Sequence, residues 1–234
     1  MKLSSTDSRN GRKVADESDI NRRGGKEAIL DAAEILFSRY GFYGVSLRDI
    51  TGLANFEVGL IKYHFGNKAD LFRAVVERRA DEGRDLFLDA LDRLIEHHSE
   101  KTPSVHDILS TFIQVRLGLL FEMGDAWARY SRLAHHFVAL EERDPLIGVT
   151  LRANRKISDR YVSALARALP NQAREDIAET FNFLRLTLSG LSADPRMAGP
   201  DTRTPQGRKA LAAHLVRLFE AGFANVPAGD EAGS

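Results

Sequence analysis

From residue 26 onward, apolar side chains recur every three or four positions, and that spacing predicts helices. Ile29, Ala33, Leu36 and Phe37 mark one face of a first helix, which Tyr40 and Gly41 close. Ser46 and Asp49 form an S-x-x-D capping pattern that opens a second, with Leu47, Ile50 and Leu53 on its apolar side. Asn55 stands where the chain turns, a residue that tolerates left-handed backbone. A third helix runs over 57–65 and stops at Gly66; Asn67 caps a fourth that extends to about His98, before the Thr102-Pro103 break. Further helices are expected over 105–121, over 125–142, from Asp144-Pro145 to about Leu169, and around Ile177–Leu191 and Leu211–Phe219. No segment alternates with period two, so the chain is all-α, with about nine helices and no sheet.

The two ends break the pattern. Residues 1–25 mix basic side chains, among them Arg9, Arg12, Lys13, Arg22 and Arg23, with acids and almost no large apolar residue, and are expected to form a disordered arm. Such an arm is either a passive tail or a reach into a DNA minor groove. Residues 226–234 are small and polar, a second disordered tail. Between them the pattern divides into a unit at 26–72 and a larger one at 73–225. Formal net charge is zero, with 33 basic and 33 acidic residues, so nucleic acid would have to be met by a local basic surface rather than by bulk charge. The absence of cysteine excludes disulfides, thiolate metal sites and thiol nucleophiles. No apolar run approaches the ~20 residues of a membrane span, and residues 1–25 lack a signal-peptide core. A cytoplasmic protein with no membrane partner is expected.

Three short helices with a tight turn between the second and third make a helix-turn-helix, whose second element enters the major groove. Here that element reads Glu57-Val58-Gly59-Leu60-Ile61-Lys62-Tyr63-His64-Phe65. Ile61 and Phe65, four apart, are expected to face the core. Gly59 costs about 1 kcal/mol against alanine in a helix interior; either close approach of DNA or tight packing on a neighbour would explain it. Lys62, Tyr63 and His64 at the helix end, with Lys68 in the first turn of the next, suit phosphate oxygens. Glu57 would repel a phosphate; it accepts from a cytosine amino group or complements the helix dipole.

The stretch Lys26 to Val76 resembles the DNA-binding domain of the TetR family. The matching residues are Ile29 to Ala33, Leu36-Phe37, Gly41-Phe42, Val45 to Ile50, Ala54, Gly59, and above all Tyr63-His64-Phe65-Gly66-Asn67-Lys68 with Leu71-Phe72. The resemblance implies that Tyr63, His64 and Lys68 contact phosphates, that Ser46 and Arg48 lie near the DNA backbone, and that 56–62 face the groove. Asn55, Glu57, Val58, Leu60 and Lys62 depart from the family's usual residues. It also implies a C-terminal helical domain that binds a ligand and dimerises. The chain is thus expected to be a repressor, binding a palindromic operator on double-stranded DNA as a homodimer and released by a small, largely apolar or aromatic effector.

Beyond residue 81 the resemblance is architectural only. Candidate effector-lining residues are Phe112, Arg116, Trp127, Tyr130, Phe137, Tyr161 and Phe183, with His135, His136, Asn182 and Arg185 as further polar contacts. Ordinary core packing is the alternative for each aromatic. The seams containing Phe181, Leu184, Leu188, Leu211, Leu215 and Leu218 suit a dimer interface or burial within one subunit. An enzyme finds little support: no G-x-S-x-G, P-loop, G-x-G-x-x-G or H-E-x-x-H is present. The adjacent pairs His97-His98 and His135-His136 point about 100° apart on a helix, unlike metal ligands. No cofactor and no metal are expected. An interaction protein that uses DNA only as a platform is the other alternative.

Overall fold

A computed structural model describes residues 17–99, 101–136 and 148–225. Phe137, the Asp144-Pro145 helix start, residues 1–16 of the arm and the tail from 226 lie outside the described residues. Among the described residues there are nine α-helices: α1 (Glu17–Tyr40), α2 (Leu47–Ala54), α3 (Val58–Phe65), α4 (Lys68–His98), α5 (Val105–Phe121), α6 (Asp125–His136), α7 (Gly148–Ala168), α8 (Arg174–Ala193) and α9 (Pro205–Ala224). The fold is all-α, with a helix-turn-helix at its start and a helical domain after it.

Local chemistry sets the helix ends. Gly41, at φ 71°, gives its N–H to the Phe37 carbonyl (2.9 Å) and closes α1. The Ser46 hydroxyl accepts the Asp49 N–H (3.1 Å) while the Ser46 N–H donates to the Asp49 carboxylate (2.8 Å), a complete capping box. Asn55 adopts the left-handed conformation, φ 58°, and turns the chain between α2 and α3. Asn67 accepts the Asp70 N–H (3.0 Å) at the start of α4.

One boundary differs from the expectation. Residues 17–25 are helical, so α1 starts nine residues before Lys26 rather than after a disordered arm. The pair Gly24-Gly25 argues against helix on propensity. Gly25, however, is buried: a Cβ there would lie 2.9 Å from the Leu60 side chain and 3.3 Å from Phe56. A glycine lets α1 lie close against α3, and tertiary packing overrides propensity.

The apolar residues sort into two cores. The first gathers Ile29, Phe37, Ile50, Ile61, Leu71, Phe72 and Val76 around α1–α4. The second gathers Leu91, Ile108, Phe112, Tyr161, Ile177, Phe181 and Leu215 around the distal part of α4 and α5–α9. α4 serves both: Phe72 belongs to the first core and Phe87 to the second, about 22 Å apart along one helix. α6 also reaches across, because its Leu133 is fully buried in the first core.

A charged joint lies between the cores. Glu34 of α1 is 2% exposed, yet its carboxylate meets Arg78 and Arg79 (3.5 Å) of α4 and Arg129 (3.1 Å) of α6. A carboxylate at that depth is tolerable only while paired. The joint therefore fixes how α1, α4 and α6 meet.

The seams expected at a dimer interface are largely inside the subunit. Phe181, Leu184, Leu188, Leu211 and Leu215 are at most 4% exposed. α8 packs on α6 and α7 while α9 packs along α5, so the regular apolar stripes of both are used within one chain. Leu218 alone of the six is exposed. No helix among the described residues is long and apolar enough to cross a membrane.

Candidate functional site

α2, the turn and α3 present a surface in which the core face and the outer face are cleanly divided. Ile61 is fully buried and Phe65 half-buried, so α3 is anchored. Glu57, Gly59, Lys62 and Tyr63 are exposed, and Val58 is half-buried. Glu57 is the N-cap of α3 without a side-chain cap hydrogen bond, so its carboxylate complements the helix terminus by charge alone. Nothing lies within 4 Å of a Cβ built on Gly59. That removes tight packing as the reason for this glycine and leaves an open notch on the outer face of α3.

Around α3 stand groups that suit an anionic backbone. Tyr63 is two-thirds exposed, with the His64 ring edge-on to it at 4.9 Å. The Lys68 ammonium sits 4.4 Å from the centre of the Phe42 ring, which holds it by a cation–π contact and partly desolvates it. That burial pulls the Lys68 pKa below the usual lysine value, opposed by the nearby Asp49 carboxylate. Lys68 is thus in electrostatic reach of Asp49 in the first turn of α2, where Ser46 and Arg48 are exposed. Tyr43, three-quarters exposed and edge-on to Phe42 at 5.1 Å, extends the same surface.

In the C-terminal domain a cavity of about 90 Å³ opens between α4, α5, α6, α7 and α8. Phe87, Phe112, Ile157 and Leu188 form its apolar walls. Arg116, Arg185, Asn154 and Ser189 supply its polar side. The Arg116 guanidinium donates to the Ser192 hydroxyl (2.9 Å), and Arg185 donates to the Asn182 carbonyl oxygen at 3.4 Å. Burial pulls the Arg116 pKa down to about 10; the nearby Tyr130 hydroxyl opposes this, and the positive charge of Arg185 adds to it by a smaller amount. Burial lowers that of Arg185 too.

Comparison with known proteins fits this geometry. Residues 29–75 match the family described as "Bacterial regulatory proteins, tetR family", and residues 110–222 match "Tetracyclin repressor-like, C-terminal domain". The chain belongs to the TetR family of transcriptional regulators. Membership places it among DNA-binding regulators that are not enzymes. The HTH-type transcriptional regulator YfiR of Bacillus subtilis is 29% identical over 114 residues, 44% of this chain and 52% of YfiR. The biofilm operon icaADBC negative regulator IcaR of Staphylococcus epidermidis is 32% identical over 75 residues, 32% of this chain and 37% of IcaR. The matches thus span about half and about a third of these relatives. SmeT, the repressor of the Stenotrophomonas maltophilia multidrug efflux pump SmeDEF, shares the fold, with a TM-score of 0.56 at 20% identity over 85% or so of each chain (84% and 89%).

Within this TetR-family chain the structure puts the Tyr63 and His64 rings in contact and Lys68 in electrostatic reach of Asp49, the partner of Ser46 in the capping box, and leaves Arg48, Gly59 and Lys62 exposed. Tyr43 and Phe42 were missed as functional candidates, because a lone aromatic in a turn carries no signal until Lys68 is seen upon it. The cavity expectation needs more correction. Phe112 and Arg116 line the cavity. Tyr161 does not: its ring stacks on Phe181 and its hydroxyl donates to the Phe87 carbonyl (3.0 Å), which makes it core. Trp127 is buried against Gly83 and beneath Arg79, and Tyr130 packs edge-on to it at 5.8 Å. Phe183 is 56% exposed, because it lies on the face of α8 opposite the stripe of Phe181, Leu184 and Leu188. His135 lines a separate surface groove with Arg39, Arg129 and Arg132, its Nδ1 3.2 Å from the Ser189 hydroxyl. Phe87, Asn154 and Ile157 were not anticipated, since the helices that converge on a cavity cannot be paired from spacing alone.

Proposed function

We propose that this TetR-family regulator is a cytoplasmic repressor: it binds a palindromic operator on double-stranded DNA as a homodimer and releases it when a small-molecule effector enters the C-terminal cavity. The observation that carries the DNA half is the outer surface of α2–α4, where Tyr63, His64, Lys68, Ser46 and Arg48 surround an exposed α3 with an open notch at Gly59. Phosphate contacts from the rim position α3, and 57–62 meet base edges. Glu57 acts through the helix terminus rather than as a base reader.

The division into a DNA-binding unit at 26–72 and a ligand and dimerisation unit at 73–225 is supported by the two cores, with residues 17–25 now an extension of α1. α4 is the lever. A change at Phe87 in the cavity wall is transmitted along a single helix to Leu71 and Phe72 beneath α3. The dimer surface shifts from the seams to the outer faces of α8 and α9. Phe183, Leu186 and Leu218 are exposed there, on two helices that pack together. Paired with a second copy, they would cover apolar area that a soluble monomer leaves open. Two copies of α3 then read half-sites about 34 Å apart.

The test is selection of duplexes from random sequence by the purified protein, followed by sizing of the complex. Recovery of a palindrome bound by two chains is the expected result. A single asymmetric half-site bound by one chain would overturn the dimeric reading, and failure to enrich any sequence would overturn operator recognition. Phe183→Glu with Leu218→Glu should yield monomers that bind the palindrome far more weakly.

A further inference from the structure

Arg116 and Arg185 face one small cavity, and neither meets a carboxylate among the described residues. This sets them apart from the arginines of the charged joint and of the middle of α4. Arg78, Arg79 and Arg129 all pair with Glu34, and Arg84 pairs with Asp81 and Asp85. Among the described residues, Arg116 and Arg185 donate hydrogen bonds to neutral oxygens, of Ser192 and Asn182. Two positive charges held close together against Phe87 and Phe112 are an electrostatic cost to the folded chain unless an anion meets them.

We propose that the effector is a small organic carboxylate, whose carboxylate is held between Arg116 and Arg185 and whose apolar body lies on Phe87, Phe112 and Leu188. This inference deepens the reading of the chain as an effector-released regulator and rests on it. Guanidiniums match carboxylate geometry with paired, charge-assisted hydrogen bonds. Asn154 and Ser189 complete the polar side and suit the remaining oxygen lone pairs. The volume of about 90 Å³ limits the buried portion to a few heavy atoms beyond the carboxylate. An inorganic phosphate or sulfate would satisfy the two charges, but leaves the apolar walls facing nothing. The earlier expectation of a largely apolar or aromatic effector therefore acquires an obligatory negative charge.

The experiment uses the full chain with benzoate and hexanoate, their neutral amides benzamide and hexanamide, and inorganic phosphate and sulfate. Binding is read by calorimetry and by the shift in Tm, and release is read on a duplex selected by the protein. The carboxylates are expected to bind about tenfold or more tightly than the amides, since each lost charge-assisted hydrogen bond is worth about that factor. Arg116→Met and Arg185→Met should each lose carboxylate binding. Their Tm without ligand should equal or exceed that of the unaltered chain, because an unpaired charge has been removed. Arg116→Lys keeps the charge but not the fork, and should bind with intermediate affinity. A fall in Tm for both methionine variants, with carboxylate binding retained in Arg116→Lys at full strength, would show that the arginines are structural and overturn the proposal. Equal binding of amides and carboxylates would overturn it, as would phosphate or sulfate binding as tightly as the carboxylates. Release by the amides that persists in both methionine variants would keep effector release and sink the carboxylate site. Carboxylate binding that depends on both arginines but never releases the duplex would uphold the site and sink effector release.

Discussion

Lys62 and Arg48 project from α3 and α2 into water, whereas Arg116 and Arg185 stand against the aromatic walls of a cavity; between the two regions, Arg78, Arg79 and Arg129 close on Glu34. These three settings assign three meanings to a positive charge. In solvent a cation costs the fold little, and gains from a polyanion through many weak, salt-screened contacts. In a cavity without a carboxylate it is costly, and a single small anion offsets the cost. At the joint it is already paid for by a resident carboxylate, and its role is to hold helices. Charge type alone predicts none of this; burial and the presence or absence of a partner decide.

The largest effect is expected at the joint. Glu34→Ala leaves Arg79 and Arg129 without the carboxylate they share at the meeting of α1, α4 and α6, while Arg78 keeps Asp31 (2.8 Å). Breaking a buried ion pair by removing one member costs about 3–5 kcal/mol, and urea unfolding of the variant should show a midpoint lowered to match. If the joint also transmits the effector signal, the two cores should then melt in separate steps by calorimetry. A variant as stable as the unaltered chain would show that the joint is dispensable, and would collapse the distinction between paired and unpaired buried arginines.

A smaller effect, on binding rather than stability, is expected at the rim of α3. Lys68→Glu should weaken every duplex, selected or random, and flatten the dependence of log K on log salt by about 1, the share of one phosphate. Tyr63→Ala should weaken both classes of duplex as well, without the change in sequence preference that a base reader would cause. Loss of affinity for the selected duplex alone would move these residues from grip to readout.

Smaller still is the effect of filling the notch at Gly59. Helix propensity favours alanine by about 1 kcal/mol, and the open space around the Cβ position leaves nothing to oppose it. Gly59→Ala should therefore raise the urea midpoint while weakening operator binding. Greater stability with unchanged binding would show that DNA does not approach the α3 backbone there.

The DNA-binding half was legible because its signals are local. The capping box of Ser46 and Asp49, the left-handed Asn55 and the stop at Gly41 each depend on residues a few positions apart, and each forms as the spacing requires. The start of α1 was missed because Gly24-Gly25 reads as a break unless Leu60 and Phe56 are known to lie over it. The cavity was only half legible. Spacing shows that Phe181, Leu184 and Leu188 share a stripe, but not whether α6 and α7 or a second subunit covers it. Tyr161 reads as a pocket aromatic until its hydroxyl is seen to be taken by the Phe87 carbonyl. Arg116 and Arg185 lie 69 positions apart, and only the fold shows that they share a cavity wall in which no carboxylate among the described residues meets them.

The smallest expected effect is at the N-terminus of α2, and it tests whether the rim behaves as a solvent-exposed electrostatic surface. Hydrogen bonds from the Ser46 hydroxyl and backbone N–H hold the Asp49 carboxyl below the usual aspartate value of 3.8, with a lesser contribution from Lys68. A carboxyl with a depressed folded pKa stabilises the fold fully above its unfolded value, and the contribution is lost as pH falls through the folded value. The carboxylate's share of the capping contribution should therefore be constant near neutrality and disappear only below about pH 4. Asp49 is exposed, so solvent screening keeps the effect small. Urea midpoints of the unaltered chain and Ser46→Ala, measured from about pH 7 down to about pH 3, should run parallel and then draw closer at the acid end by the share that depends on the Asp49 charge, the hydroxyl's bond from the Asp49 N–H remaining. Replacing an N-cap serine costs about 1 kcal/mol, which sets the separation expected at neutral pH. Curves that draw closer near neutrality would place the titration on another group, and curves that never draw closer would show that Ser46 acts through the hydroxyl cap alone, independently of the Asp49 charge.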